Sequence, residues 1–328
     1  MFNASNKRVF IYLLFTFALS WGVWIVLYFA GASSTIILSL SSAVMWFPAG
    51  AVFLARALTG KDRILAYSLK PKFKGNVKIY LNAWWFPVFV AILGGALYFC
   101  IFQDSFDGTF SSLNLMLSQN NINIEDLPIS PTLLAVVQII ASMIYGPFIN
   151  TFFALGEEIG WRGFLFPALS RRFSNTKAHL LTGLIWGVWH TPINMLGHNY
   201  GLEYPGYPWL GIVAMCLFTF SIGVYFSWLS EKSGSIWPAA LAHGAVNAAA
   251  GIPFLFQAPD IGIGAPSQIF GPGLSALVAG VPILLIAVVI LIRNKGAAVA
   301  ATAAAAVAAE TSAEAASEDA AISEIAET

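Results

Sequence analysis

Eight apolar stretches interrupt the 328-residue sequence, each of about 20 residues and so long enough to cross a bilayer as a helix. They run from Val9 to Ala30, Thr35 to Leu58, Tyr80 to Phe102, Pro131 to Leu155, Ala178 to Leu196, Pro208 to Leu229, Ile236 to Phe256 and Gly271 to Ile292. Hydrocarbon offers no water to unpaired peptide groups, so a segment of this length that crosses must satisfy its own backbone as a helix. The predicted fold is all-α, a polytopic membrane helical bundle with about eight transmembrane helices. Composition agrees, because 10% charged residues against 58% hydrophobic, with mean hydropathy +0.75, cannot cover a water-soluble globule. Lys7 and Arg8 precede the first stretch as in a secretory signal, but its apolar run is too long for one and a second follows at once, which favours an uncleaved anchor.

Charge then sets the expected orientation. All 16 Lys and Arg residues fall in alternate loops or at the ends if both termini are cytoplasmic. The opposite loops hold Asp104, Asp107, Glu125, Asp126, Glu203 and Asp260 and no basic residue. An integral protein of the cell membrane, with the lipid bilayer as its first partner, is the expected setting. The net charge of zero leaves no clustered basic excess overall and argues against a nucleic-acid partner. Cys100 and Cys216 sit in apolar runs at no metal or redox spacing. The sequence divides into residues 1–130 with three helices and a basic loop, a core of four helices over 131–256, a final helix within 257–295, and an Ala-rich acidic tail over 296–328 that lacks an apolar face to bury.

An ionisable group at the centre of a membrane helix costs about 2.5–3.5 kcal/mol on insertion scales, so each one requires a reason. Three segments contain such groups. In Gly156-Glu157-Glu158-Ile159-Gly160-Trp161-Arg162, a continuing helix would set Glu158 and Arg162 at i and i+4 on one face and turn Glu157 away from them. Two adjacent carboxylates with one arginine leave one acid paired and one available as a base, unless both are simply solvated helix-end charges. His190 lies well inside the fifth stretch with Asn194 at i+4, a pairing that packing alone would explain. His243 and Asn247 repeat that spacing in the seventh, among alanines and glycines that allow close helix packing.

The three segments in order, Glu157-Glu158-x-x-x-Arg162, Trp186-x-x-x-His190 and His243-x-x-x-Asn247, resemble the motifs of the CPBP intramembrane proteases. That family includes the Ras-converting CAAX endopeptidases and the bacterial bacteriocin self-immunity (Abi) proteins. The surrounding words GEEIGWRGFLFPAL and SIWPAALAH fit as well, and the resemblance covers Leu133 to Ile252. The second motif often begins with Phe, where this chain has Trp186. The resemblance implies an endopeptidase in which Glu157 and His190 activate a water, His243 and Asn247 stabilise the oxyanion, and Glu158 with Arg162 forms a supporting ion pair. It implies a membrane-associated peptide substrate near the cytoplasmic leaflet, such as a lipid-anchored, CAAX-like tail. Glu157, His190 and His243 could also supply three ligands of a zinc ion, although none of the spacings is HExxH and a glutamate base works without a metal. The rival readings are a catalytically silent immunity or scaffold protein and a transporter; the latter predicts paired repeats or interrupted helices in two halves, which the sequence does not display.

Overall fold

The computed structural model describes residues 4–60, 65–123, 127–259 and 267–295. Lys61, Asp62, Arg63, Glu125, Asp126, Asp260 and the acidic tail lie outside the described residues. The helices are α1 (Ala4–Phe29), α2 (Ser34–Val44), α3 (Phe47–Thr59), α4 (Val77–Ile101), α5 (Ser111–Gln119), α6 (Pro131–Ile144) and α7 (Gly146–Glu158). A π-helical turn, Ile159–Leu165, leads into α8 (Phe166–Ser170). Then come α9 (Asn175–Trp189), α10 (Thr191–Met195), α11 (Trp209–Ser233), α12 (Trp237–Ala249) and α13 over 281–295. Among the described residues only two isolated bridges, Ser68 with Ser235 and Phe106 with Gln257, have β character. The chain is an all-α polytopic bundle.

Five helical segments are long and apolar enough to cross a membrane: Asn6–Phe29, Ser39–Thr59, Val77–Ile101, Trp209–Ser233 and Trp237–Phe256. A sixth is gained if α6 and the helical run Gly146–Ser170, bent by 49° at their junction, count as one. The described helices therefore give five or six spans where the apolar runs suggested eight, and proline placement accounts for much of the difference. Pro147 stands in the first turn of α7, where its missing N–H and fixed φ begin a new helix rather than prolong the last. In the fifth stretch α9 stops at Trp189 after 15 residues, a length of about 22 Å against a core of about 30 Å. Pro192 lacks the N–H that would continue the ladder, and the His190 ring instead caps the carbonyl of Trp186, Nδ1 to O 2.9 Å. In the eighth stretch Gly271-Pro272-Gly273 opens a run of bends and turns, and the helix begins only at 281.

Lipid tails are as apolar as leucine, so burial from water cannot drive helix association inside a bilayer; close packing and satisfied polar groups must do so. α12 lies against α7 and α4, α9 against α11, and α1 against α3. The contact between α12 and α7 is close enough that a Cβ on Gly244 would stand 2.5 Å from the Pro147 carbonyl oxygen and 2.6 Å from the Thr151 backbone nitrogen. Neither backbone atom can yield. Gly244→Val is therefore expected to lower stability by about 1–3 kcal/mol or more, read as a drop in thermal midpoint of the purified protein in detergent. An unchanged midpoint would show that the two helices are not held this closely. Around these contacts Tyr12, Trp24, Trp161, Phe164, Trp186, Trp189 and Phe226 form an aromatic core, and the ionisable groups of α7, α9 and α12 are set within it.

Candidate active site

Glu157 and Glu158 end α7, and the π-helical turn that follows carries Trp161 and Arg162. Turns of this kind are rare and collect at functional sites. Both i, i+4 pairs form across it. Arg162 Nη1 donates to Glu158 Oε1 at 3.1 Å, as the spacing predicted, and Trp161 Nε1 donates to Glu157 Oε2 at 3.0 Å. Glu157, Glu158 and Arg162 are all buried, so these are not helix-end charges in water. Room for the guanidinium comes from α11: a Cβ on Gly223 would fall 2.8 Å from Arg162 Nη2. The Trp186 and Phe226 rings lie 4.2 Å and 5.1 Å from its central carbon, so the cation rests on aromatic faces.

The third segment joins the first here. His243 on α12 sets its Nδ1 2.8 Å from Glu158 Oε1, so Glu158 binds both Arg162 and His243. A carboxylate accepts, so His243 Nδ1 carries the proton in this contact and Nε2 is left for the other side of the ring. The same logic fixes His190: a backbone carbonyl only accepts, so Nδ1 donates to Trp186 and Nε2 presents a lone pair. The side chains of His190 and Asn194 do not pair, although the Asn194 N–H donates to the His190 carbonyl at 3.0 Å. Asn194 Oδ1 accepts from Asn199 at 3.0 Å, and the His190 ring turns to the Trp186 carbonyl.

Trp186 has a role that aromatic packing alone does not describe. Its indole N–H donates to Glu157 Oε2 at 2.7 Å, beside the bond from Trp161. One oxygen of Glu157 thus holds two indole donors, and Oε1 is left for the cavity that Glu157 lines. That cavity measures about 290 Å³ and gathers Glu157, His190, His243 and Asn247, with Asn150 from α7 and Trp24 from α1 on its walls. Asn247 is exposed within it, and its amide makes no hydrogen bond among the described residues. Of the six residues singled out in the sequence, four line one cavity, while Glu158 and Arg162 support it from behind. Asn150 was missed, although it stands seven residues before Glu157 and so two turns away on the same face. Nothing in the sequence pointed to Trp24, which reaches the cavity only through the packing of α1.

Among the described residues no three His, Cys, Asp or Glu side chains are placed to hold an ion. The bonds to Glu157 Oε2 and His243 Nδ1 leave Glu157 Oε1, His190 Nε2 and His243 Nε2 as the atoms that would meet an ion or a water in the cavity.

The sequence pattern of the family described as type II CAAX prenyl endopeptidase Rce1-like matches residues 132–249. In those residues, about a third of its length, the chain is similar to the Rce1-like family. The match contains all three motif segments, in agreement with the resemblance to the CPBP proteases. A relative described as CAAX prenyl protease 2, from Methanococcus maripaludis, is 33% identical over 93 residues, which span 28% of this chain and 34% of the relative. The matched stretch is thus about a third of either protein, and α1, α2 and α13 lie outside the Rce1-like region.

Proposed function

We propose that this Rce1-like chain is an intramembrane endopeptidase that hydrolyses a peptide bond of a membrane-associated substrate by general-base activation of water. The observation that carries the reading is the convergence of Glu157, His190, His243 and Asn247 on one cavity of about 290 Å³ inside an apolar bundle. A water between Glu157 Oε1 and His190 Nε2 gives its proton to one of these acceptors while its oxygen adds to the peptide carbonyl. The Asn247 amide N–H bonds the resulting oxyanion, and His243, held by Glu158 through Nδ1, joins it when Nε2 carries a proton. The captured proton then passes to the leaving nitrogen as the C–N bond breaks, giving a carboxylic acid and an amine. Glu158 and Arg162 hold His243 in place and touch no reacting atom.

The relative's description as a CAAX prenyl protease supports a C-terminal, lipid-tethered peptide as the substrate class. The distribution of the basic residues supports cytoplasmic termini and a site near the cytoplasmic leaflet. Residues 131–256 serve as the catalytic core in this reading, with the flanking segments completing the bundle.

The test is cleavage of prenylated and unprenylated model peptides by the reconstituted protein, with products identified by mass. Wild-type protein is expected to release a C-terminal fragment, and Asn247→Ala to slow the reaction by about 10²–10³, the effect of losing one oxyanion donor. Absence of cleavage by the wild-type protein under all lipid conditions would overturn the assignment. Full activity after treatment with a strong chelator is the result expected of a base mechanism; loss with recovery on added zinc would overturn it in favour of a metalloenzyme.

A further inference from the structure

The segment over 65–76 lacks regular structure and leads into the first turn of α4 at Val77 and Lys78, yet it is bound tightly to the rest of the protein. Ala66 N–H donates to the Gly163 carbonyl in the π-helical turn at 3.0 Å, and Ser68 N–H to Gly234 at 3.1 Å. Ile236 N–H returns to the Ser68 carbonyl at 3.2 Å, the Ser235 hydroxyl donates to the Lys70 carbonyl at 3.0 Å, and Trp237 Nε1 donates to the Leu69 carbonyl at 2.6 Å. Asn76 completes the set with a 3.3 Å bond to Ser233. The segment is a strap laid across the turn between α11 and α12.

Its position fixes its depth. Three membrane-length helices have their ends on the strap: Val77–Ile101 begins there, Trp209–Ser233 ends there and Trp237–Phe256 begins there. Where three spanning helices end together, the strap lies at the level of one headgroup layer. What it displays suits that layer. Lys70, Lys72, Lys74 and Lys78 are exposed, interleaved with exposed Leu69, Phe73 and Val77. None of the four ammonium groups has a carboxylate within ion-pair distance among the described residues. Lys232, also exposed, adds a fifth cation at the adjoining end of α11. Lysines beside apolar side chains at the edge of a bilayer place positive charge among phosphates while the apolar groups reach the acyl boundary.

We propose that the strap is a binding site for anionic lipid headgroups, with Lys70, Lys72, Lys74 and Lys78 holding the phosphates and Leu69, Phe73 and Val77 entering the acyl boundary. Because the strap is tied to Gly163 beside Arg162 and to Trp237 at the start of the helix that carries His243, lipid engaged there bears on both sides of the candidate site. The bilayer is the source of the phosphate in this proposal, since the site faces the membrane edge on three spanning helices.

The experiment uses the full chain in vesicles of equal phosphatidylcholine and phosphatidylglycerol, extracted gently and weighed by native mass spectrometry to count retained lipids. Wild-type protein is expected to hold phosphatidylglycerol in preference to phosphatidylcholine. The variant Lys70→Gln, Lys72→Gln, Lys74→Gln, Lys78→Gln is expected to lose that preference by about tenfold or more, in line with the pull of each juxtamembrane lysine on an anionic leaflet. Equal retention of both lipids by the wild-type protein, or an undiminished preference in the variant, would overturn the proposal. So would displacement of phosphatidylglycerol by inorganic phosphate but not by chloride at matched ionic strength, which would assign the site to a soluble anion. The substituted side chains are exposed, and an unchanged thermal midpoint in detergent identifies a variant that has kept its fold.

Discussion

Glu157→Gln is expected to reduce peptide cleavage by about 10²–10⁴, the usual contribution of a positioned general base, while leaving the fold intact. The substitution preserves shape, and the amide oxygen can still accept from Trp161 and Trp186 where Glu157 Oε2 now does, at 3.0 Å and 2.7 Å. What is lost is the second carboxylate oxygen, which faces the cavity and is the proton acceptor in the proposed reaction. His190→Ala removes the other acceptor and is expected to act on the same step, so the double variant should be little slower than the slower single one. Initial rates on one peptide at saturating and limiting concentration test both points. A Glu157→Gln protein that cleaved at the wild-type rate would exclude Glu157 as the base, and fully multiplicative losses would separate the two residues into different steps.

The largest effect on stability is expected at Arg162. Arg162→Met leaves Glu158 buried with His243 as its one remaining charge partner, and breaking a buried pair from one side costs about 3–5 kcal/mol. The guanidinium also rests between Trp186 and Phe226, so its removal loosens the wall that holds Glu157. Removing both charges, Glu158→Gln with Arg162→Met, is expected to recover much of the loss, because the main penalty is an uncompensated charge rather than a missing attraction. Reversible unfolding in detergent or bicelles measures both variants. If single and double variants were equally unstable, the cost would lie in packing around Arg162 and not in the stranded carboxylate.

These effects depend on different levels of the molecule. The sequence by itself determined the class, because apolar stretches of this length leave the backbone no choice but helix in a bilayer. It also pointed to the candidate site, since Glu157, Glu158, Arg162, His190, His243 and Asn247 are polar where polarity is costly and include pairs at i, i+4 spacing. The Glu158 to Arg162 contact could be read from that spacing, because a helix fixes its own neighbours.

Contacts between elements were decided only by the tertiary structure. Glu158 meets His243 across 85 positions of sequence, and Trp186 reaches Glu157 across 29, distances over which no local periodicity carries information. The described helices give five or six membrane-length segments against eight apolar stretches for the same reason: apolarity is a property of composition, but Pro147, Pro192 and the His190 cap act on individual hydrogen bonds and cut helices that hydropathy joins. The strap was visible as a run of lysines; its place at the ends of three helices was not. Sequence sets which groups must be satisfied, and packing selects the partners that satisfy them.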